Sequence, residues 1–168
     1  MIRRPRRHEI KLLPQIENAA DERYRRAGLQ LVIDMPPASL ASLEAGWRED
    51  RLWVAVSRFN RPVGFALMKF LGGTAWLDQL SVLDRWQGSG RGTALIERTA
   101  AAAGVRGFDS LYLSTYRDVS WNAPFYARRG FVELPRGGWP RTFRVQLTGE
   151  SHPPWRRTVM RRLLGGDG

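Results

Sequence analysis

Cysteine is absent from the sequence, which excludes disulfides, thiolate zinc sites and a cysteine nucleophile. Histidine is scarce: His8 and His152 lie near opposite ends, supplying neither a metal cluster nor the partners of a Ser-His-Asp triad. No metal is therefore expected. No stretch approaches the ~20 consecutive apolar residues of a membrane span, and residues 1–7 are too basic, with too short an apolar run, for a signal peptide. A cytoplasmic protein with no membrane partner is the expectation. Lysine is nearly missing too: of 27 lysines and arginines only Lys11 and Lys69 are lysine, so the net charge of +11 rests on arginine. The arginines cluster at Arg3, Arg4, Arg6 and Arg7 and again at Arg156, Arg157, Arg161 and Arg162. Such a field favours anionic partners, whether nucleic acid, acidic surfaces or phosphorylated cofactors.

What is present suits one compact domain: 168 residues, 43% hydrophobic, enough to bury roughly two-thirds of the unfolded surface. Behind a basic arm at 1–7, residues 8–12 read as a short strand and 15–26 as a helix with Ile16, Ala19, Ala20 and Arg23 along one face, ended by Gly28. Ser39 is placed to cap a helix running to about 49, whose apolar residues Leu40, Leu43 and Trp47 have helical spacing. The period then changes. Residues 52–58 and 63–71 alternate as strands about a turn at 60–62 and form an expected antiparallel hairpin. A third strand follows at 75–83, a helix at 93–103 with Gly104 as its left-handed stop, a strand at 110–115, a short helix at 121–128 stopped by Gly130, and a strand at 131–134. Residues 143–147 and 155–163 read as further strands. The order predicts an α/β fold with a mixed sheet of about seven strands and helices on both faces.

The segment from Leu77 to Gly92 carries the most chemistry. Gly88, Gly90 and Gly92 sit on alternate positions between a strand and a helix, where backbone N–H groups converge at a positive helix end and favour an anion. Arg85 and Arg91 are placed to add charge-assisted contacts. A Walker loop is excluded because the turn has no lysine, and a Rossmann fingerprint because the sixth position from Gly88 is Thr93. The remaining pattern is QxxGxG, met by Gln87, Gly90 and Gly92. Downstream come Leu111-Tyr112-Leu113-Ser114-Thr115 and then Asn122-Ala123-Pro124-Phe125-Tyr126-Ala127-Arg128-Arg129-Gly130-Phe131. Together, from Leu77 to Phe131, these motifs resemble the GNAT superfamily of N-acetyltransferases.

The resemblance implies one N-acetyltransferase domain over 1–168, with a cofactor-binding core at about 75–134. It also implies a mostly antiparallel sheet whose two parallel strands splay at the cofactor site. Acetyl-CoA is then the cosubstrate and an amine the acceptor. Leu80 and Val82, with Ser81 between them, would offer backbone groups to the pantetheine arm by strand addition. Gln87, Gly88, Ser89, Gly90, Arg91, Gly92 and Thr93 would hold the pyrophosphate, while Asn122 and Phe125 approach the cofactor from the second motif. Tyr126, at the family's tyrosine position, would protonate the departing sulfur, and Asp78 would take the amine's proton directly or through water. Asp118 is a weaker candidate for amine recognition. Tyr24, Trp47, Trp53, Tyr116 and Trp121 are available aromatics for the amine, though each is more often core than cage. The positive charge argues against a strongly cationic acceptor unless a local acidic pocket, with Asp21 or Glu22, reverses it. Two other readings stand beside this one: a nucleic-acid-binding protein, for which no recognition motif is found, and an acyl-CoA-binding domain without transfer. The late strand could pair at a subunit boundary, which makes a homodimer a candidate assembly.

Overall fold

Seven strands form one sheet in the order β1-β2-β3-β4-β5-β7-β6. They are β1 (Ile2–Arg3), β2 (Leu52–Val56), β3 (Pro62–Leu71), β4 (Thr74–Val82), β5 (Ser110–Tyr116), β6 (Val132–Leu134) and β7 (Arg157–Leu163). The computed structural model describes residues 1–147 and 157–165. The sheet is α/β and mixed: β1 with β2, β2 with β3, β5 with β7 and β6 with β7 run antiparallel, while β4 and β5 run parallel. That parallel ladder holds only two residue pairs, Ala75 with Leu111 and Trp76 with Tyr112. Two units divide the chain, one of Met1–Lys69 and Leu77–Ala102, the other of Phe70–Trp76 and Ala103–Gly168.

In the first unit, alternation along β2 decides the packing. Leu52, Val54 and Val56 join Phe65 and Leu67 of β3 beneath Ile10, Leu13, Ile16 and Leu43, all buried. Leu13 and Ile16 belong to α1 (Leu13–Asp21) and Leu43 to α4 (Leu40–Arg48); each such side chain contributes roughly 1.5–3 kcal/mol by leaving water. Ser39 caps α4 as its sequence position suggests, its hydroxyl accepting the Ser42 N–H at 3.1 Å. Between α1 and α4 lie two single turns, α2 (Arg23–Arg26) and α3 (Gln30–Ile33). Trp53, on the other face of β2, is fully buried with the Arg98 guanidinium 5.5 Å from its ring centre. Arg98 belongs to α5 (Arg91–Val105). Gly64 lets β3 and β4 close up, since a Cβ there would lie 2.6 Å from the Ser81 carbonyl oxygen.

In the second unit, Trp76 stacks on Phe143 with ring centres 4.7 Å apart, and Trp139 and Val159 complete that buried cluster. Its helices are α6 (Ala123–Ala127) and α7 (Arg141–Leu147).

Four expectations need correction. Residues 8–12 are not a strand: Arg7–Leu12 winds as a 3-10 helix, because Glu9 takes the Arg6 N–H at 2.7 Å and the Arg3 guanidinium at 2.8 Å, closing the chain on itself. The basic arm at 1–7 is instead partly strand, with Arg3 bound to Glu9 and Asn60, and Arg4 ion-paired with Asp50. The segment at 143–147 is helical, started by Pro140, whose carbonyl accepts the Phe143 N–H at 3.0 Å. The helix expected at 93–103 begins at Arg91 and runs through Gly104; the left-handed residue behind it is Gly107, at φ +84°. Of the strand expected at 155–163, the first two residues lie outside the described residues. Among those described, no helix is long and apolar enough to cross a membrane.

Candidate active site

The glycine turn and the start of α5 belong to the first unit. After β4 a 3-10 turn, Asp84–Trp86, leads to Gln87. The Gln87 amide is held from two sides, donating to the Asp84 carboxylate at 2.9 Å and to the Val82 carbonyl at 3.2 Å. Asp84 is itself paired with Arg26 of α2 at 3.0 Å. Gly88 and Gly90 have φ of +70° and +78°, and a Cβ built on either meets nothing within 4 Å. Glycine is required there by backbone conformation and not by crowding. Ser89 ties the turn together, its hydroxyl donating to the Trp86 carbonyl. The first helical bond runs from the Ala94 N–H to the Gly90 carbonyl at 2.9 Å. By the geometry of any helix start, the N–H groups of Arg91 and Gly92 have no intrahelical partner. The Arg91 guanidinium lies 4.2 Å from the centre of the Trp86 ring. An exposed turn with convergent donors, a helix dipole and a braced cation can hold an anion of phosphate type.

β4 leads into this turn. Leu80 is partly exposed, and Ser81 and Val82 are buried. Because the parallel ladder stops at Trp76, the backbone of β4 from Leu77 to Val82 has an edge that this ladder does not use. Asp78 is paired with Lys69 of β3 at 2.6 Å, each side chain about a third exposed (32% and 30%). On α1, Glu17 is only 6% exposed, and its Oε2 accepts the Ala38 N–H at 2.9 Å. Burial, aided by the negative charges of Asp21 and Asp78, pushes the Glu17 carboxyl up to about 7. Burial likewise raises Asp21 to about 6, with Arg23 opposing. Glu22, the other acid expected near the amine, is exposed and paired with Arg25 at 2.5 Å. Of the candidate aromatics here, Tyr24 and Trp53 are buried, and Trp47 packs against the core with its indole N–H on the Pro5 carbonyl at 2.9 Å.

The second motif lies in the second unit. Asn122 is 4% exposed and precedes α6, and its carbonyl accepts the Tyr126 N–H at 3.0 Å. The Tyr126 ring meets Phe125 and Phe131 edge-on, with centres 5.2 and 5.8 Å away. Phe125 is in turn covered by the Arg129 guanidinium, 3.5 Å from its ring centre. Burial lowers the Arg129 pKa; the Arg128 charge lowers it further, and Tyr126 opposes both. Tyr126 is thus a half-buried phenol in an aromatic frame, beside a cation. Gly130, at φ +82°, ends the segment as expected.

A family model described as the acetyltransferase (GNAT) domain matches residues 48–133, just over half of the chain. The chain belongs to this acetyltransferase family. Solved structures share the fold. One is a GNAT-family acetyltransferase of Staphylococcus aureus Mu50, 18% identical with a TM-score of 0.77, the match covering 98% of this chain and 99% of that one. Another is the N-acetylglutamate synthase of Neisseria gonorrhoeae in complex with coenzyme A and N-acetyl-glutamate, 17% identical with a TM-score of 0.76, covering 99% of this chain but 35% of that one. A third is the ribosomal-protein-S18-alanine N-acetyltransferase of Escherichia coli, 18% identical with a TM-score of 0.66, covering 100% of this chain and 96% of that one.

Sequence reasoning missed three features: Glu17, the Trp86–Arg91 stack and the Arg26–Asp84–Gln87 chain. The stack had a faint signal in an aromatic five residues before an arginine at a helix start. Glu17 had none, because nothing in the spacing of α1 says that a glutamate next to Ile16 is covered.

Proposed function

We propose that the chain is an acetyl-CoA-dependent N-acetyltransferase of the cytoplasm, acting as one domain over 1–168 and moving an acetyl group to a primary amine by direct attack. The observation that carries this reading is the turn at 87–92, with two left-handed glycines and a helix start opening toward solvent. The diphosphate of acetyl-CoA is assigned to Gln87, Gly88, Ser89, Gly90, Arg91, Gly92 and Thr93. The pantetheine arm is assigned to the backbone of Leu80, Ser81 and Val82, with Asn122 and Phe125 as further contacts. Asp78 is the carboxylate on the amine side, and Tyr126 protonates the thiolate as the carbon–sulfur bond breaks.

Calorimetry with coenzyme A tests the binding half of this reading, and thiol release from acetyl-CoA across a panel of amines tests the transfer half. Heat with coenzyme A and amine-dependent thiol are the expected results; no heat with ligand in excess would reject the site. Tyr126→Phe is expected to lower turnover roughly 10²-fold at unchanged cofactor affinity. Unchanged turnover would remove Tyr126 from the chemistry.

A further inference from the structure

Arginines outnumber acids in this chain, so a guanidinium without a carboxylate is the ordinary case where it stands in water. Arg6, Arg61 and Arg85 are of that kind, exposed and outside every ion pair among the described residues. Arg157, at the start of β7, is different. It is half-buried, yet it too forms no ion pair among the described residues. Its Nε–H donates to the Ser114 hydroxyl at 3.0 Å, and its guanidinium carbon lies 5.4 Å from the centre of the Tyr116 ring, itself only 8% exposed. Ser114 and Tyr116 lie on one face of β5, and Arg157 stands opposite Tyr116 in the ladder. To reach Ser114 the side chain therefore leans along the sheet and lies against it, instead of extending into solvent. Among the described residues its terminal nitrogens meet no acceptor.

Fixing a long side chain costs rotamer freedom, and covering half of a cation without giving it an anion costs solvation as well. What the arrangement gains is a planar fork already oriented before a ligand arrives, the form that grips a carboxylate bidentately. We infer that Arg157 receives a carboxylate carried by the acceptor, so that the preferred acceptor is an amino acid or another amine with a carboxylate in the same molecule. This rests on the transferase reading above and deepens it.

Two features of the second unit point to the acceptor as the source of that carboxylate. The first is the end of the sheet at which Arg157 stands. Tyr116, its partner in register, is the last residue of β5, and from there the chain runs directly to Asn122 and Tyr126, assigned above to the cofactor and to the departing sulfur. The second is the wall beside it. Val159, opposite Ser114 on the same face, belongs to the buried cluster of Trp76, Trp139 and Phe143. A fixed guanidinium at the border of an apolar cluster has the character of a small-molecule site, in which one polar group sets the orientation of the ligand. The phosphates of coenzyme A are already provided for by the turn at 87–92. Arg157 keeps its charge throughout and takes no part in the proton transfers; it orients the acceptor and selects it.

The test uses the full chain, acetyl-CoA and amines matched in pairs that differ only in the carboxylate: leucine with isoamylamine, phenylalanine with phenethylamine, lysine with cadaverine. Thiol release is measured for each, and coenzyme A binding in parallel. In at least one pair, wild type is expected to favour the acid by about tenfold or more in kcat/KM. Arg157→Gln should bring that ratio to within about threefold, the loss appearing in KM with kcat nearly unchanged. Arg157→Lys, which keeps the charge but not the fork, should recover only part of it. Ser114→Ala, which frees the guanidinium without removing it, should raise KM for the acid a few-fold. Coenzyme A binding within twofold of wild type shows that a variant is folded. A preference for the decarboxylated member in every pair, silence from every amine in a chain that binds coenzyme A, or an Arg157→Gln chain that keeps the wild-type ratio would each overturn the inference. A chain that binds no coenzyme A would instead overturn the transferase reading itself.

Discussion

The start of α5 and the inner side of α1 both carry unbalanced charge, in opposite senses and by different means. At α5 the unmet groups are backbone N–H donors around Gly88 and Gly90, exposed and reinforced by Arg91. At α1 the charge lies on side chains: Glu17, buried with its Oε2 on the Ala38 N–H, and the partly exposed Asp21, neither of them in an ion pair among the described residues. A backbone site of this kind costs little, because water serves the donors until a phosphate replaces it. A buried carboxylate costs more, and the cost appears as a displaced pKa. In the proposed reaction, the anionic cofactor belongs at the first of these places.

The sharpest way to break the comparison is to titrate stability. The Glu17 pKa is raised on folding, from 4.5 to about 7, so between those values the folded chain holds a proton that the unfolded chain has lost. This group's contribution is therefore fully present below pH 4.5 and is lost as pH rises through 7. The loss amounts to at most about 3 kcal/mol, with Asp21 contributing in the same direction at lower pH. Denaturant melts at pH 5 and pH 8 should show this fall in wild type, and Glu17→Gln should remove most of it. Identical pH dependence in the two proteins would mean that α1 is not under electrostatic load, and the contrast with α5 would disappear.

That contrast also explains what was legible in the sequence. Glycines at 88 and 90 leave a pattern because a left-handed φ admits few other residues. Tyr126 and Asn122 were singled out by their order and spacing before Gly130 and Phe131, and their roles belong to the proposed function. The hairpin of β2 and β3 and the strand β4 followed from alternation. The errors arose where alternation was accidental. Ile10 and Leu12 mimic a strand, but the bond from Glu9 to the Arg6 N–H winds the chain instead. At 143–147, Phe143 and Val145 alternate, yet Pro140 starts a helix that seats Phe143 on Trp76. Burial of Glu17 depends on the loop at Ala38, twenty-one residues away, and no local pattern carries that information.

A smaller effect is expected at the other end of the comparison. Gly90→Ala places a β-carbon at φ +78° with nothing within 4 Å of it, so the penalty is conformational, about 1–2 kcal/mol. If the turn relaxes instead of bearing that strain, its donors diverge. Coenzyme A should then bind roughly tenfold more weakly in calorimetry, while the pH dependence set by Glu17 stays as in wild type. Unchanged affinity would show that the anion is held by side chains alone, and α5 would then resemble α1 after all.

The smallest effect separates the two contributions within the α5 site. Trp86 does not need to touch the cofactor to matter: its ring lies 4.2 Å from the Arg91 guanidinium and limits where that cation can swing. A stacked pair at a partly exposed position is worth about 0.5–1 kcal/mol. Trp86→Leu keeps apolar bulk but removes the π face, so coenzyme A affinity should fall two- to fivefold, with a larger share of the loss at low salt, where the arginine charge counts most. Arg91→Gln made in the Trp86→Leu background should then cost less than Arg91→Gln alone. If the two losses simply add, Trp86 acts on the turn through packing and not through Arg91, leaving the backbone amides as the sole built part of the anion seat.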